Sequence, residues 1–154
     1  MSTTKTKVLK VTVPGDPITK ANATKLGRRR ARIPVRFQIY EKKIRDAAEA
    51  VMKKNKQTPF KDGPVRIKIT YYLENRKVKD LLNLPKTTCD ALNEVFYTDD
   101  CQIVQAICEK RYDTANPRVV IEVRRPAGQW LKKMKELFWS LPPSYMPKSR
   151  RKRK

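Results

Sequence analysis

Residues 65–73 read VRIKITYYL. Val65, Ile67, Ile69, Tyr71 and Leu73 alternate with Arg66, Lys68 and Thr70. A period of two sends these sets to opposite faces, the pattern of a half-buried strand. KDGP at 61–64 supplies the turn before it. A strand with one apolar face needs elements to cover that face, so the flanking segments decide the fold class.

On the N-terminal side, residues 38–54 place Ile44, Ala47, Ala48 and Val51 at i, i+3, i+4 and i+7. That spacing predicts a helix with one buried stripe. Lys53, Lys54 and Lys56 suit the negative end of its dipole. KVLKVTV at 7–13 reads as a strand, stopped by PGDP at 14–17. On the C-terminal side, residues 83–95 read as a second helix. Asn83 is its candidate N-cap, Pro85 lies in its first turn, and Leu84, Thr88, Ala91, Leu92 and Val95 share a face. IVQAICEKRY at 103–112 is a strand candidate, NP at 116–117 a turn, and RVVIEV at 118–123 a last strand. The expected order is β–α–β–α–β–β, an α+β domain over residues 1–125.

Residues 126–154 read differently. GQWLKKMKELFWSL at 128–141 sets Trp130, Leu131, Met134, Leu137, Phe138 and Leu141 at helical spacing. This predicts a C-terminal amphipathic helix, packed on the domain or across a dimer. PPSYMPKSRRKRK reads as a disordered basic tail.

The chain has 154 residues, enough for one core with tails. Its 37 Lys and Arg against 15 Asp and Glu give a net charge of +22. Such a charge attracts polyanions, and counterion release makes nucleic acid the leading partner. A ribosomal or membrane-surface protein would share the signature. No apolar run approaches the ~20 residues that cross a bilayer. The start, MSTTKTKVLK, lacks a signal-peptide core. A cytoplasmic protein, bacterial or phage-encoded, is therefore expected, with no membrane and no nucleotide cofactor. Cys89, Cys101 and Cys108 form no CxxC pair, and we expect reduced thiols in the core. The chain has no histidine, which excludes Ser–His–Asp triads, HEXXH proteases and histidine-dependent metal nucleases. Any hydrolytic chemistry falls to carboxylates, lysine and a hard metal ion.

Charge is unevenly placed. From Pro17 to Tyr40 there is no acid, while Lys20, Lys25, Arg28, Arg29, Arg30, Arg32 and Arg36 crowd the span. These are the candidate DNA-binding residues, suited to gripping phosphates. In contrast, KDLLNLPK at 79–86 and TDDCQ at 98–102 frame an acidic stretch. Residues 80–100 hold Asp80, Asp90, Glu94, Asp99 and Asp100 against Lys86 alone, five acids to one base, or −4. One reading is structural: Asp80 caps a helix, Asp90 and Glu94 form its wet side, and Asp99 opens a turn. The other is a Mg²⁺ site, because Mg²⁺ takes one or two carboxylates and keeps waters and substrate phosphates. A helix of about 12 residues is roughly 18 Å long, so Asp80 and Asp100 meet only if the chain folds back or across a symmetric dimer.

The run KDLLNLPKTTCDALNEVFYTDDCQIV resembles the central motif of the RusA family of Holliday junction resolvases. That motif has Asp-Leu-Asp-Asn-Leu-x-Lys, then Asp-Ala-Leu, then Asp-Asp with Gln two residues after the second. Asp80, Asn83, Leu84, Lys86, Asp90, Ala91, Leu92, Asp99, Asp100 and Gln102 match. VPGDPITKAN and EKRYDTANPRVVIEV extend the similarity over about residues 8–123. The resemblance implies a small mixed β-sheet with two core helices, a homodimer, and four-way (Holliday) junctions or other branched DNA as partner. It implies an endodeoxyribonuclease making paired, Mg²⁺-dependent nicks, with Mn²⁺ as a substitute. It assigns Asp80, Lys86 and Asp100 to catalysis and Asp80, Asp99 and Asp100 to the metal, and leaves Asp90 a structural role. Leu82 departs from the pattern, which has an aspartate there. In an extended segment residues 80 and 82 would face the same way, so Leu82 removes an expected ligand and implies impaired cleavage. The alternative is a non-catalytic branched-DNA-binding or nucleic-acid-binding protein.

Overall fold

The computed structural model describes residues 7–18, 35–75 and 79–126, with positions 128, 132 and 136. Its elements are β1 (Val8–Pro14), α1 (Val35–Lys54), β2 (Val65–Leu73), α2 (Leu84–Leu92), β3 (Ile103–Tyr112) and β4 (Arg118–Arg124), in that order. Single 3-10 turns at Leu81–Asn83 and Asp100–Gln102 flank α2. The α+β class and the β–α–β–α–β–β order expected from the sequence are those observed.

The four strands form one sheet in the order β1-β4-β2-β3. β4 pairs antiparallel with both β1 and β2, whereas β2 and β3 run parallel, so the sheet is mixed. β1 and β2 therefore point the same way, and their C-terminal ends share one end of the sheet. The buried face carries Leu9, Val11 and Val13 from β1, Val65, Ile67, Ile69, Tyr71 and Leu73 from β2, and Val119, Ile121 and Val123 from β4. Tyr40, Ile44, Ala48 and Met52 of α1 and Leu84, Ala91 and Leu92 of α2 close over it. Burial of this apolar surface is the dominant favourable term in such a fold. The Tyr71 and Thr88 hydroxyls, 2.9 Å apart, pin α2 to β2 inside that core.

Several boundaries move. α1 begins at Val35, so Arg36, read as part of the basic segment, stands exposed in its first turn. α2 stops at Leu92 rather than residue 95, because Asn93 turns extended (ψ 134°) and Glu94 follows with a left-handed φ of 66°. Val95, Phe96 and Tyr97 are buried all the same, as a return loop beneath the core. The three thiols are free but not all internal. Cys89 and Cys108 are partly buried against the core, while Cys101 is exposed on the turn before β3. Burial pushes the Cys89 thiol up to about 12. Lys20, Lys25, Arg28, Arg29, Arg30 and Arg32 lie outside the described residues, as does nearly all of the expected C-terminal helix and tail.

The parallel β2–β3 pair positions the acidic segment. Parallel neighbours require a crossover connection, so residues 74–102 must travel back along the sheet. Asp80 follows the C-terminal end of β2, and Asp99 and Asp100 lead into the N-terminal end of β3.

Candidate functional site

Asp80 is extended (φ −69°, ψ 121°) and caps the turn that follows it. The Leu82 amide donates to its Oδ1 at 3.0 Å, and the Asn83 side-chain amide donates to its Oδ2 at 3.1 Å. Asn83 stands at the N-cap position of α2, as the sequence reading placed it, but makes no side-chain cap bond there; its side chain buttresses Asp80 instead. A 3-10 turn over Leu81–Asn83, capped by Asp80, precedes the helix. The same turn alters the geometry at Leu82. Residues 80–82 are not one extended run, so alternation does not relate their side chains. Leu82 is 84% exposed and offers no oxygen to a metal.

At the other end of the crossover, the Asp99 carboxylate accepts from the Cys101 amide at 3.0 Å. The Gln102 Oε1 accepts from the Thr98 and Asp99 amides at 2.8 and 3.2 Å, completing a capping box. The Gln102 amide nitrogen reaches across to the carbonyls of Gly63 (2.9 Å) and Phe60 (3.3 Å). One glutamine thus fastens the paired aspartates to the loop that enters β2. The return loop is held by the Phe60 amide on the Phe96 carbonyl at 2.9 Å and by the Tyr97 hydroxyl on the Cys89 carbonyl at 2.9 Å.

This fold-back sets Asp99 and Asp100 beside the first half of α2. The Asp100 carboxyl is raised above the ordinary range. A shared hydrogen bond with Asp99 is the largest cause, followed by burial and the charges of Asp99 and Asp90, with Lys86 opposing. Lys86 and Asp90 are four residues apart on α2 and so lie on one face. Lys86, Asp90 and Asp99 are thus the neighbouring charges that bear on Asp100. Lys79, the neighbour of Asp80, has its carbonyl bound by the Lys110 ammonium at 3.0 Å. Lys110 pairs with Tyr71 and Ile103 with Val65. At roughly 3.3 Å per residue, Lys110 and Ile103 stand about 20 Å apart along β3. Asp80 thus follows the part of the chain held near Lys110, whereas Asp99 and Asp100 lead into β3 at Ile103.

Asp90, given a structural role in the sequence reading, is one of the charges that raise Asp100. Its spacing from Lys86 was the available signal; its proximity to Asp100 depends on the return loop. Glu94 belongs elsewhere, beside Arg45 at 3.9 Å. Among the described residues, no three acidic or cysteine side chains converge as a metal-binding group. The Asp99–Asp100 pair does suit a hard cation chemically. Two carboxylates close enough to share a proton repel when both ionise, and a divalent ion relieves that repulsion.

The architecture is an α+β domain with acids at both ends of a β–α–β crossover and a lysine on its helix. The family model described as endodeoxyribonuclease RusA matches residues 14–124. The chain belongs to the RusA family, whose members are endodeoxyribonucleases of the Holliday junction resolvase type. A search of curated proteins returned no match. Among the described residues no helix is long and apolar enough to cross a membrane.

The raised Asp100 value carries a pH dependence of known sign. The folded chain holds this proton more tightly than the unfolded chain, so ionising Asp100 costs stability above the ordinary carboxylate value of 3.8 and nothing well below it. Asp100→Asn should therefore melt higher than the parent at pH 7 without divalent ions, on the order of 1–3 °C. The gap should close as the pH falls through 4. Calorimetric melting at both pH values checks this; a variant that melts lower at pH 7 contradicts it.

Proposed function

We propose that this chain is a homodimeric, structure-selective endonuclease for four-way and other branched DNA, dependent on Mg²⁺ or Mn²⁺, with cleavage impaired by Leu82. The observation that carries the reading is the family match across the segment that sets Lys86 against the Asp99–Asp100 pair. Asp80, Asp99 and Asp100 would hold the metal. Such an ion supplies Lewis-acid polarisation of the scissile phosphate and a water acidic enough to attack at neutral pH. Lys86 places a cation where negative charge grows on the phosphorus-bound oxygens. Asn83 keeps Asp80 oriented, and Gln102 does the same for Asp99 and Asp100. Leu82 supplies neither ligand nor negative charge, which lowers metal affinity and eases approach of the DNA backbone.

Cleavage of a synthetic four-way junction in Mg²⁺ or Mn²⁺ tests this directly, with the chain run beside Leu82→Asp. Nicking should rise at least tenfold in the variant, since residues that only support metal ligands are already worth roughly 10- to 100-fold. Efficient nicking by the parent that does not rise in Leu82→Asp would reject impairment. Tight junction binding with no nicking by either protein would favour the non-catalytic reading.

Because α2 lies between Asp80 and the Asp99–Asp100 pair in the chain, a metal site could be completed across the dimer, with Asp80 from one protomer and Asp99–Asp100 from its partner. Mixing decides this. In the Leu82→Asp background, heterodimers of Asp80→Asn with Asp100→Asn keep one intact site if it is shared, and should nick one strand. If each site lies within one chain, the heterodimers are as inactive as either parent variant.

The basic segment supplies the grip. Lys20, Lys25, Arg28, Arg29, Arg30, Arg32 and Arg36 would contact phosphates, in a sequence-independent and salt-dependent way. Replacing Arg28, Arg29, Arg30 and Arg32 with glutamine should weaken binding to all DNA forms and flatten the dependence of log K on log salt by up to about four. An unchanged slope would remove this segment from the interface.

A further inference from the structure

We propose that Asp16 is a positioning residue, tying the entrance of the basic segment to the backbone that presents Asp80. The inference rests on the nuclease reading only for what Asp80 does; the tie itself is geometric. Asp16 lies in the turn that ends β1, at the same end of the sheet as the C-terminus of β2. One of its oxygens accepts from the Glu74 amide at 3.1 Å, just past β2. The other is ion-paired with the Lys79 ammonium. That ammonium also donates to the Pro17 carbonyl at 2.8 Å, and the Lys79 carbonyl accepts from the Lys110 ammonium at 3.0 Å. Residue 79 is thus held by both its side chain and its backbone, one peptide before Asp80.

The other side of the tie is firm. Gly15 has a φ of +107°, open to few residues but glycine, and its amide donates to the Pro117 carbonyl at 2.8 Å. Lys43 of α1 brings its ammonium to 3.1 Å from the place a Cβ on Gly15 would occupy. Tyr40 of α1 is buried next to the turn; burial first, and then the Asp16 carboxylate, push its phenol up. Asp16 and Lys79 are only 28% and 21% exposed, so water and salt weaken the pair less than a surface one. The basic run begins at Lys20, three residues beyond Pro17. Phosphates engaging that run pull on Pro17, whose carbonyl shares the Lys79 ammonium with Asp16. DNA binding and the orientation of Asp80 are coupled through that one ammonium.

Asp16→Asn keeps the acceptor for Glu74 and loses the charge that holds Lys79; Asp16→Glu restores the charge. Hydrogen exchange of the full-length protein, free and bound to a four-way junction in EDTA, reads the tie without requiring cleavage. In the free protein, amides of residues 79–84 should exchange about tenfold faster in Asp16→Asn than in the parent, with β4 unchanged and Asp16→Glu close to the parent. Junction binding should slow exchange at 79–84 in the parent and not in Asp16→Asn, while the two affinities stay within about twofold. In the Leu82→Asp background, Asp16→Asn should lower the nicking rate at saturating protein about tenfold with little change in Kd. Equal exchange at 79–84 in the free parent and Asp16→Asn overturns the proposal, as does equal protection by the junction. A parent that binds no junction counts against the nuclease reading, and the free-protein comparison still decides the tie.

Discussion

The parallel pairing of β2 with β3 is the constraint on which the site depends. Antiparallel neighbours are joined by a tight turn, but parallel neighbours are not. The chain leaving Leu73 must return along the sheet before it can start Ile103. That return is α2, whose apolar face completes the core and whose outer face carries Lys86 and Asp90. The crossover also separates the acids. Those before the helix stay near the end of β2, and those after it gather near the start of β3.

Local polar bonds then sharpen what the topology allows. Asp80 and Asp99 each hold an amide two residues ahead, so each begins a short turn and is oriented by it. The structural and metal-binding readings of these acids are therefore compatible. An aspartate that caps a turn spends one oxygen lone pair on an amide and keeps others for a cation. Gln102 shows the same economy. Its oxygen closes the capping box, and its nitrogen bonds the loop before β2. Replacing it would loosen both aspartates without touching the core.

Much of this was legible in the sequence because period-two and period-3.6 patterns report which side of an element is buried. β2, β3 and β4 were located to within a residue, and every residue on the proposed α2 face is buried, including Val95 beyond the helix. Asn83 was placed correctly at the N-cap of α2, but that its side chain turns to Asp80 depends on the 3-10 turn ahead of the helix, which residue type does not report. Cys101 was misread. A short turn between two capped aspartates has no buried side, so a residue usually found inside is left outside. The influence of Asp90 on Asp100, ten residues further along, was not legible because it arises only through the return loop.

By itself, the sequence determined the α+β class, the basic character, the absence of histidine chemistry, and a motif specific enough to place the chain in its family. These depend on side-chain identity and spacing along one strand or helix, which tertiary contacts modify but do not create. Only the tertiary structure decided that Asp90 and Asp99 share the environment of Asp100, and that Asp16 reaches Lys79. Those facts depend on how distant segments meet around a parallel strand pair. Such meetings are set by the packing of the whole core, to which no single stretch of sequence gives access.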